Sequence, residues 1–154
     1  MKKVLIVYFS LSGETEKSAN YIAEGVRFTG SEAIVKDIAE IHSARDLEGF
    51  DGYIFGSPTF SLNVPGPMRA FLRLAVKAKL AGKLAGAFGS YRHEVGYEPG
   101  GKAAAELLET MEKDLSMVPF ELGALKLKED VIESAEGMRA NQDYGKVFAQ
   151  DLEK

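Results

Sequence analysis

Three stretches of this chain are apolar at nearly every position: residues 4–9 (Val-Leu-Ile-Val-Tyr-Phe), 53–55 (Tyr-Ile-Phe) and 84–88 (Leu-Ala-Gly-Ala-Phe). A strand with one wet face alternates apolar and polar residues. Continuous runs of this length belong instead to parallel strands buried on both faces, which require helices above and below. The intervening segments supply them. Ala19, Ile22, Ala23 and Val26 recur at helical spacing, as do Met68, Phe71, Leu72 and Ala75; Ala104, Leu107, Leu108 and Met111; and Tyr144, Val147, Phe148 and Leu152. Gly145, inside the last stripe, gives room for close helix approach. Residues 33–38 read as a less buried strand and 39–50 as a single weak helix. Residues 118–127 alternate in part, Leu125 and Leu127 against Lys126 and Lys128, as an edge strand does. Strand and helix therefore alternate throughout. The expectation is an α/β fold of three layers, a doubly wound sheet of five parallel strands.

At 154 residues, without repeats or linkers, residues 1–154 are expected to form one domain. Cys is absent, which excludes disulfides, thiolate metal sites and a cysteine nucleophile, and only His42 and His93 could offer imidazole to a metal. The formal charge of −4 argues against nucleic acid. The apolar run at residues 4–9 is far below the roughly 18 residues of a membrane span. Ser10-Leu11-Ser12-Gly13-Glu14 cuts it short without a clear cleavage site, so it reads as a strand rather than a secretory signal, and the protein as cytoplasmic.

Ligands of open parallel sheets bind beyond the carboxyl ends of the strands, which directs attention to three loops. The first, Ser10-Leu11-Ser12-Gly13-Glu14-Thr15, brings three hydroxyls and a glycine to a helix N-terminus, a setting that either wraps a phosphate or caps the helix through Ser12. It lacks the Lys of a nucleotide-triphosphate loop and the three glycines of a dinucleotide loop. The second, running from Gly56-Ser57-Pro58-Thr59-Phe60 to Pro67, displays Phe60 and Leu62 among turn formers. The third, from Gly89-Ser90-Tyr91 to Gly100-Gly101, is long for a strand-to-helix connection and carries Tyr91, His93 and Tyr97. Aromatic rings at such an edge can cover a flat ligand.

Together the loops resemble those of the flavodoxin family, over essentially the whole chain. Ser10-x-Ser12-Gly13-x-Thr15 is similar to the family's phosphate signature. Gly56-Ser57-Pro58-Thr59, with Pro65 and Phe71, is similar to the second loop of flavodoxin domains in flavodiiron proteins. Gly89-Ser90-Tyr91 and Gly100-Gly101 resemble the third loop, with an insertion between them. The resemblance implies a short-chain, FMN-binding fold with strand order 2-1-3-4-5. It places the FMN phosphate on Ser10, Leu11, Ser12, Gly13, Glu14 and Thr15, and the ring edge on Ser57, Pro58, Thr59, Ser90, Tyr91 and Gly100. Phe60 would cover one flavin face and Tyr97 the other, with Tyr91 or His93 as substitutes. The implied partners are a reductase and an acceptor protein, with the chain monomeric or weakly dimeric and neither nucleic acid nor membrane involved.

Three departures stand out. Trp, a common stacking partner of the flavin in the family, is absent, and Glu14 puts a negative charge beside the phosphate where Asn is frequent. Residues 52–93 contain no Asp or Glu but six bases: Arg69, Arg73, Lys77, Lys79, Lys83 and Arg92. The family commonly rings its flavin with acids, so this stretch predicts a less negative potential for the fully reduced cofactor. Three functions follow. The first is an FMN electron carrier, the second an FMN-dependent NAD(P)H:quinone or FMN reductase, and the third a binding module of the same fold without cofactor. A phosphoacceptor domain is excluded because Gly56-Ser57 stands where its Asp would end the third strand.

Overall fold

The computed structural model describes residues 1–58, 66–91 and 102–154. Strand β1 (Lys3–Tyr8) pairs in parallel with β2 (Glu32–Asp37) on one side and β3 (Gly52–Pro58) on the other, and β3 pairs with β4 (Leu84–Tyr91). The order is β2-β1-β3-β4-β5, with β5 (Val118–Pro119) and β6 (Leu125–Lys128) both beside β4. The apolar runs do what their lack of alternation predicts: β3 is buried at every position. Within β1, Leu5 and Val7 face one apolar layer while Val4, Ile6 and Tyr8 face the other. Helices α2 (Gly66–Ala75) and α3 (Lys102–Lys113) cover the first layer, and α1 (Glu14–Phe28) and α5 (Ala135–Leu152) the second, with the single turn of α4 (Glu129–Ile132) preceding α5.

Two expectations about secondary structure are corrected. Between β2 and β3 lie two 3-10 turns, Ile38–Glu40 and Ala44–Leu47, and no single helix. Asp37 and Ser43 each open a capping box, closed by Glu40 and Asp46, and each box starts a turn that stops after three or four residues. Ile41 and the fully buried Leu47 pin the segment to the core.

The fifth strand is not continuous over residues 118–127. It breaks where Phe120 turns into the core, against the rings of Tyr144 and Phe148 at 5.4 and 5.2 Å. The chain then makes a turn closed by Gly123 N on the Phe120 carbonyl at 2.9 Å, where the φ of 77° suits glycine, and resumes in the same direction as β6. The break leaves the middle of β4 without a strand partner on the side away from β3, and Tyr144 fills the gap from α5. Its hydroxyl accepts from Ala87 N at 3.1 Å and donates to the Gly123 carbonyl at 2.7 Å. Burial pushes this phenol well above its usual pKa, so it remains a donor. Tyr144→Phe is expected to cost about 1 kcal/mol or more, because it removes the partner of the buried Ala87 N–H and of the part-buried Gly123 carbonyl. Urea unfolding measures this, and an unchanged midpoint would show that the bridge contributes nothing.

Helix α5 differs from its predicted stripe at one position: Val147 is 36% exposed, while Tyr144, Gly145 and Phe148 face inward with Asn141. The expected close approach at Gly145 is present. A Cβ there would meet the Ile22 carbonyl of α1, and one on Gly25 would meet the Gln142 carbonyl of α5. The two helices thus cross at reciprocal glycines, and Gln142 Nε2 donates to Glu24 Oε1 at 2.9 Å beside the crossing.

Candidate functional site

Register places the carboxyl ends of three adjacent strands together: Tyr8 pairs with Gly56, Gly56 with Phe88, and Pro58 with Ser90. The sheet order reverses between β1 and β3, since the chain leaves β1 toward α1 on one face and β3 toward α2 on the other. A crevice opens at such a point.

The loop after β1 is the best-defined wall. Phe9 N donates to the Gly56 carbonyl at 3.0 Å, which carries the ladder one residue past β1. Ser10 Oγ then accepts from Gly13 N at 2.9 Å, closing a tight turn. Gly13, with φ 91°, occupies the cap position of α1, and no side chain caps the helix. This corrects the capping alternative: Ser12 does not cap α1 and instead donates to Glu129 Oε1 at 3.4 Å. The first helical bond runs from Lys17 N to the Gly13 carbonyl at 3.1 Å. The N–H groups of Glu14, Thr15 and Glu16 precede it, at the positive end of a 15-residue helix. A Cβ on Gly13 would meet nothing within 4 Å, so the space in front of this turn is open.

Thr15 belongs to the turn through its backbone, but its side chain points inward. Its hydroxyl shares a hydrogen bond of 3.2 Å with that of Ser90, both residues being 1% exposed. That bond joins the first candidate loop to the end of β4. Ser57 and Pro58 are buried at the end of β3, with the Ser57 hydroxyl donating to the Pro58 carbonyl at 2.9 Å. Tyr91 is half-buried at the end of β4, and Leu11 is 64% exposed at the tip of the first loop. Thr59, Phe60, Asn63, His93, Tyr97 and Gly100 lie outside the described residues.

The electrostatics of this edge are two-sided. Near the first loop, Glu14 Oε1 pairs with Lys17 Nζ at 3.3 Å, and Lys17 also reaches Glu133 at 2.7 Å. Glu14 Oε2 is buried without a hydrogen-bond partner among the described residues. The Tyr8 hydroxyl donates to Glu16 Oε2 at 2.7 Å. Burial, and next the bond to Glu16, push this phenol far above its usual range, so it holds the carboxylate as a donor. The sequence reading missed Glu129, Glu133 and Tyr8 as neighbours of the loop. The two glutamates stand more than 110 residues from it and carry no local signal.

On the other side, the acid-free stretch disperses. Arg69 and Arg73 lie on α2, which starts at the site edge, whereas Lys83 sits just before β4 at the opposite edge, its carbonyl accepting from Val118 N. Lys77 and Lys79 follow the end of α2, also away from the loops, and Arg92 lies outside the described residues. Of the bases in that stretch that lie among the described residues, Arg69 and Arg73 are the ones on the helix that starts at the site edge.

A phosphate-bearing ligand fits the donor set of the first loop: three N–H groups without an intrahelical partner, a glycine turn and the Ser12 hydroxyl, which would exchange its carboxylate partner for the phosphate. A flavodoxin domain family model matches residues 5–127. Among solved structures, oxidised flavodoxin 1 from Bacillus cereus is 29% identical, with a TM-score of 0.81 over 96% of this chain and 97% of that one. A flavodoxin from the domain Archaea is 23% identical and superposes at a TM-score of 0.84 over 99% of both chains. The Flv1 flavodiiron core from Synechocystis sp. PCC6803 shares the fold alone, at 24% identity and a TM-score of 0.80; the match covers 99% of this chain but 36% of that one. With the strand order, the loop after β1 and the family match in agreement, the chain belongs to the flavodoxin domain family.

Proposed function

We propose that this protein binds FMN non-covalently at the carboxyl ends of β1, β3 and β4 and carries electrons between redox enzymes of the cytoplasm. The observation that carries the reading is the loop after β1. Its Gly13 turn is held by Ser10, and the N–H groups of Glu14 to Glu16 precede the first helical hydrogen bond at the start of α1. In the proposal, Ser10, Leu11, Ser12, Gly13, Glu14 and Thr15 hold the phosphate, Thr15 through its N–H. Ser57, Pro58, Thr59, Ser90, Tyr91 and Gly100 border the ring, and Phe60 and Tyr97 cover it. FMN supplies reversible electron transfer when bound; the chain supplies position and field. The partners in the proposal are a reductase and an acceptor protein.

The test is titration of the cofactor-free chain with FMN and with riboflavin, followed by flavin fluorescence. FMN is expected to bind one to one. Riboflavin is expected to bind at least about tenfold more weakly, since charge-assisted bonds to the phosphate contribute about 1.5–3 kcal/mol each. A chain that binds neither flavin overturns the reading. Steady NADPH turnover with a quinone by the FMN-loaded protein would replace the carrier with a reductase.

A further inference from the structure

We propose that the exposed side of α2 is the docking surface for an acidic partner protein. This rests on the reading above, because α2 begins directly after the second candidate loop, so a partner lying along it has the proposed flavin at the Arg69 end and Lys77 at the end away from the loops. Arg69 and Arg73 stand one turn apart on α2, Lys77 follows in the turn two residues past its end, and all three are exposed, forming a basic stripe. No acid occurs anywhere in residues 52–93 to interrupt it. Beside the stripe runs a groove of about 210 Å³ between α2 and α3, floored by Leu72 and Val76. Val76 is 57% exposed, an apolar contact lying within the charged surface.

The far wall of the groove carries Glu106, Thr110 and Asp114. Glu106 approaches Arg69 at 3.8 Å. Arg73 and Lys77 have no ion pair among the described residues, so they are the cations that a partner's carboxylates would engage. The groove is too small for a helix but takes single side chains. Charge complementarity of this kind raises the encounter rate and sets orientation. The opposite flank of the site, with Glu14, Glu16, Glu129 and Glu133, repels the same partner and turns it toward α2.

The test uses the full chain, labelled with ¹⁵N, with and without FMN, against two probes of opposite charge: an acidic [2Fe–2S] ferredoxin and basic cytochrome c. At low salt, ferredoxin is expected to shift amide resonances along α2, and the effect should fade as salt shortens the screening length below about 10 Å. The double variant Arg73→Glu and Lys77→Glu is expected to weaken ferredoxin binding at least about tenfold, and Arg73→Lys with Lys77→Arg to retain it. Shifts confined to the Glu129–Ile132 side, equal binding of cytochrome c, or undiminished binding by the charge-reversed variant would overturn the proposal. A chain that binds no FMN yet shows the α2 shifts would sink the functional reading while leaving the surface standing.

Discussion

Replacing Gly145 with alanine is expected to destabilise the protein by about 3 kcal/mol, at the upper end for overpacking a well-filled interface. The position tolerates no methyl group because it faces backbone. Its Cβ would fall on the Ile22 carbonyl of α1, and a carbonyl held in a helix cannot rotate aside as a side chain could. The helices would have to separate, which would also loosen the reciprocal contact at Gly25 and the Gln142–Glu24 bond. For a chain of this size the loss corresponds to a fall in melting temperature of about 6–12 °C. Gly66→Ala is the control. A Cβ there meets nothing within 4 Å, and the residue opens a helix, so the change is expected to be neutral or to stabilise by up to about 1 kcal/mol. If the two variants melt together, the crossing is not the close contact described. Because α1 also supplies the first-turn N–H groups, Gly145→Ala should weaken FMN binding along with stability, whereas Gly66→Ala should not weaken it through the fold.

Glu14→Gln is expected to tighten FMN binding about tenfold, by removing a unit charge beside the phosphate dianion in a partly buried setting. The carboxylate is only half compensated: one oxygen meets Lys17, and the other is buried without a partner among the described residues. A negative charge at a helix N-terminus contributes about 0.3–1 kcal/mol when the end is empty. The same charge opposes a second anion at that end. The variant should therefore be slightly less stable without cofactor and bind FMN more tightly, and the gain should shrink with added salt. Fluorescence titration of both proteins at two salt concentrations checks the sign. Weaker binding by Glu14→Gln would mean that the buried oxygen accepts a hydrogen bond from the cofactor, reversing its role.

The sheet was legible because burial on both faces leaves its mark on every residue of a strand: residues 4–9, 53–55 and 84–88 carry no polar face at all. The loops were legible because glycine and hydroxyl residues at fixed local spacing produce local geometry, as Gly13 and Ser10 do. Where two local solutions existed, sequence did not choose between them. Ser12 could have capped α1, and it is Glu129, 117 residues away, that holds its hydroxyl.

Periodicity likewise placed Tyr144, Val147 and Phe148 on one stripe, yet the reciprocal glycines set how α5 rolls on α1 and left Val147 outward. The acid-free stretch was plain in the sequence as a count. Only the crossover geometry, which sends α2 from one sheet edge to the other, divided it into two arginines beside the site and lysines remote from it.

The sequence by itself thus determined the layers, the parallel sheet and the three loops, because each follows from patterns within about ten neighbouring residues. Tertiary structure decided the break in the fifth strand, filled by Tyr144, and the bond between Thr15 and Ser90 that ties the first loop to β4. It also left one Glu14 oxygen buried without a hydrogen-bond partner among the described residues. Those features depend on groups far apart in the chain, whose pairing is fixed only when the whole sheet and both helical layers close around them.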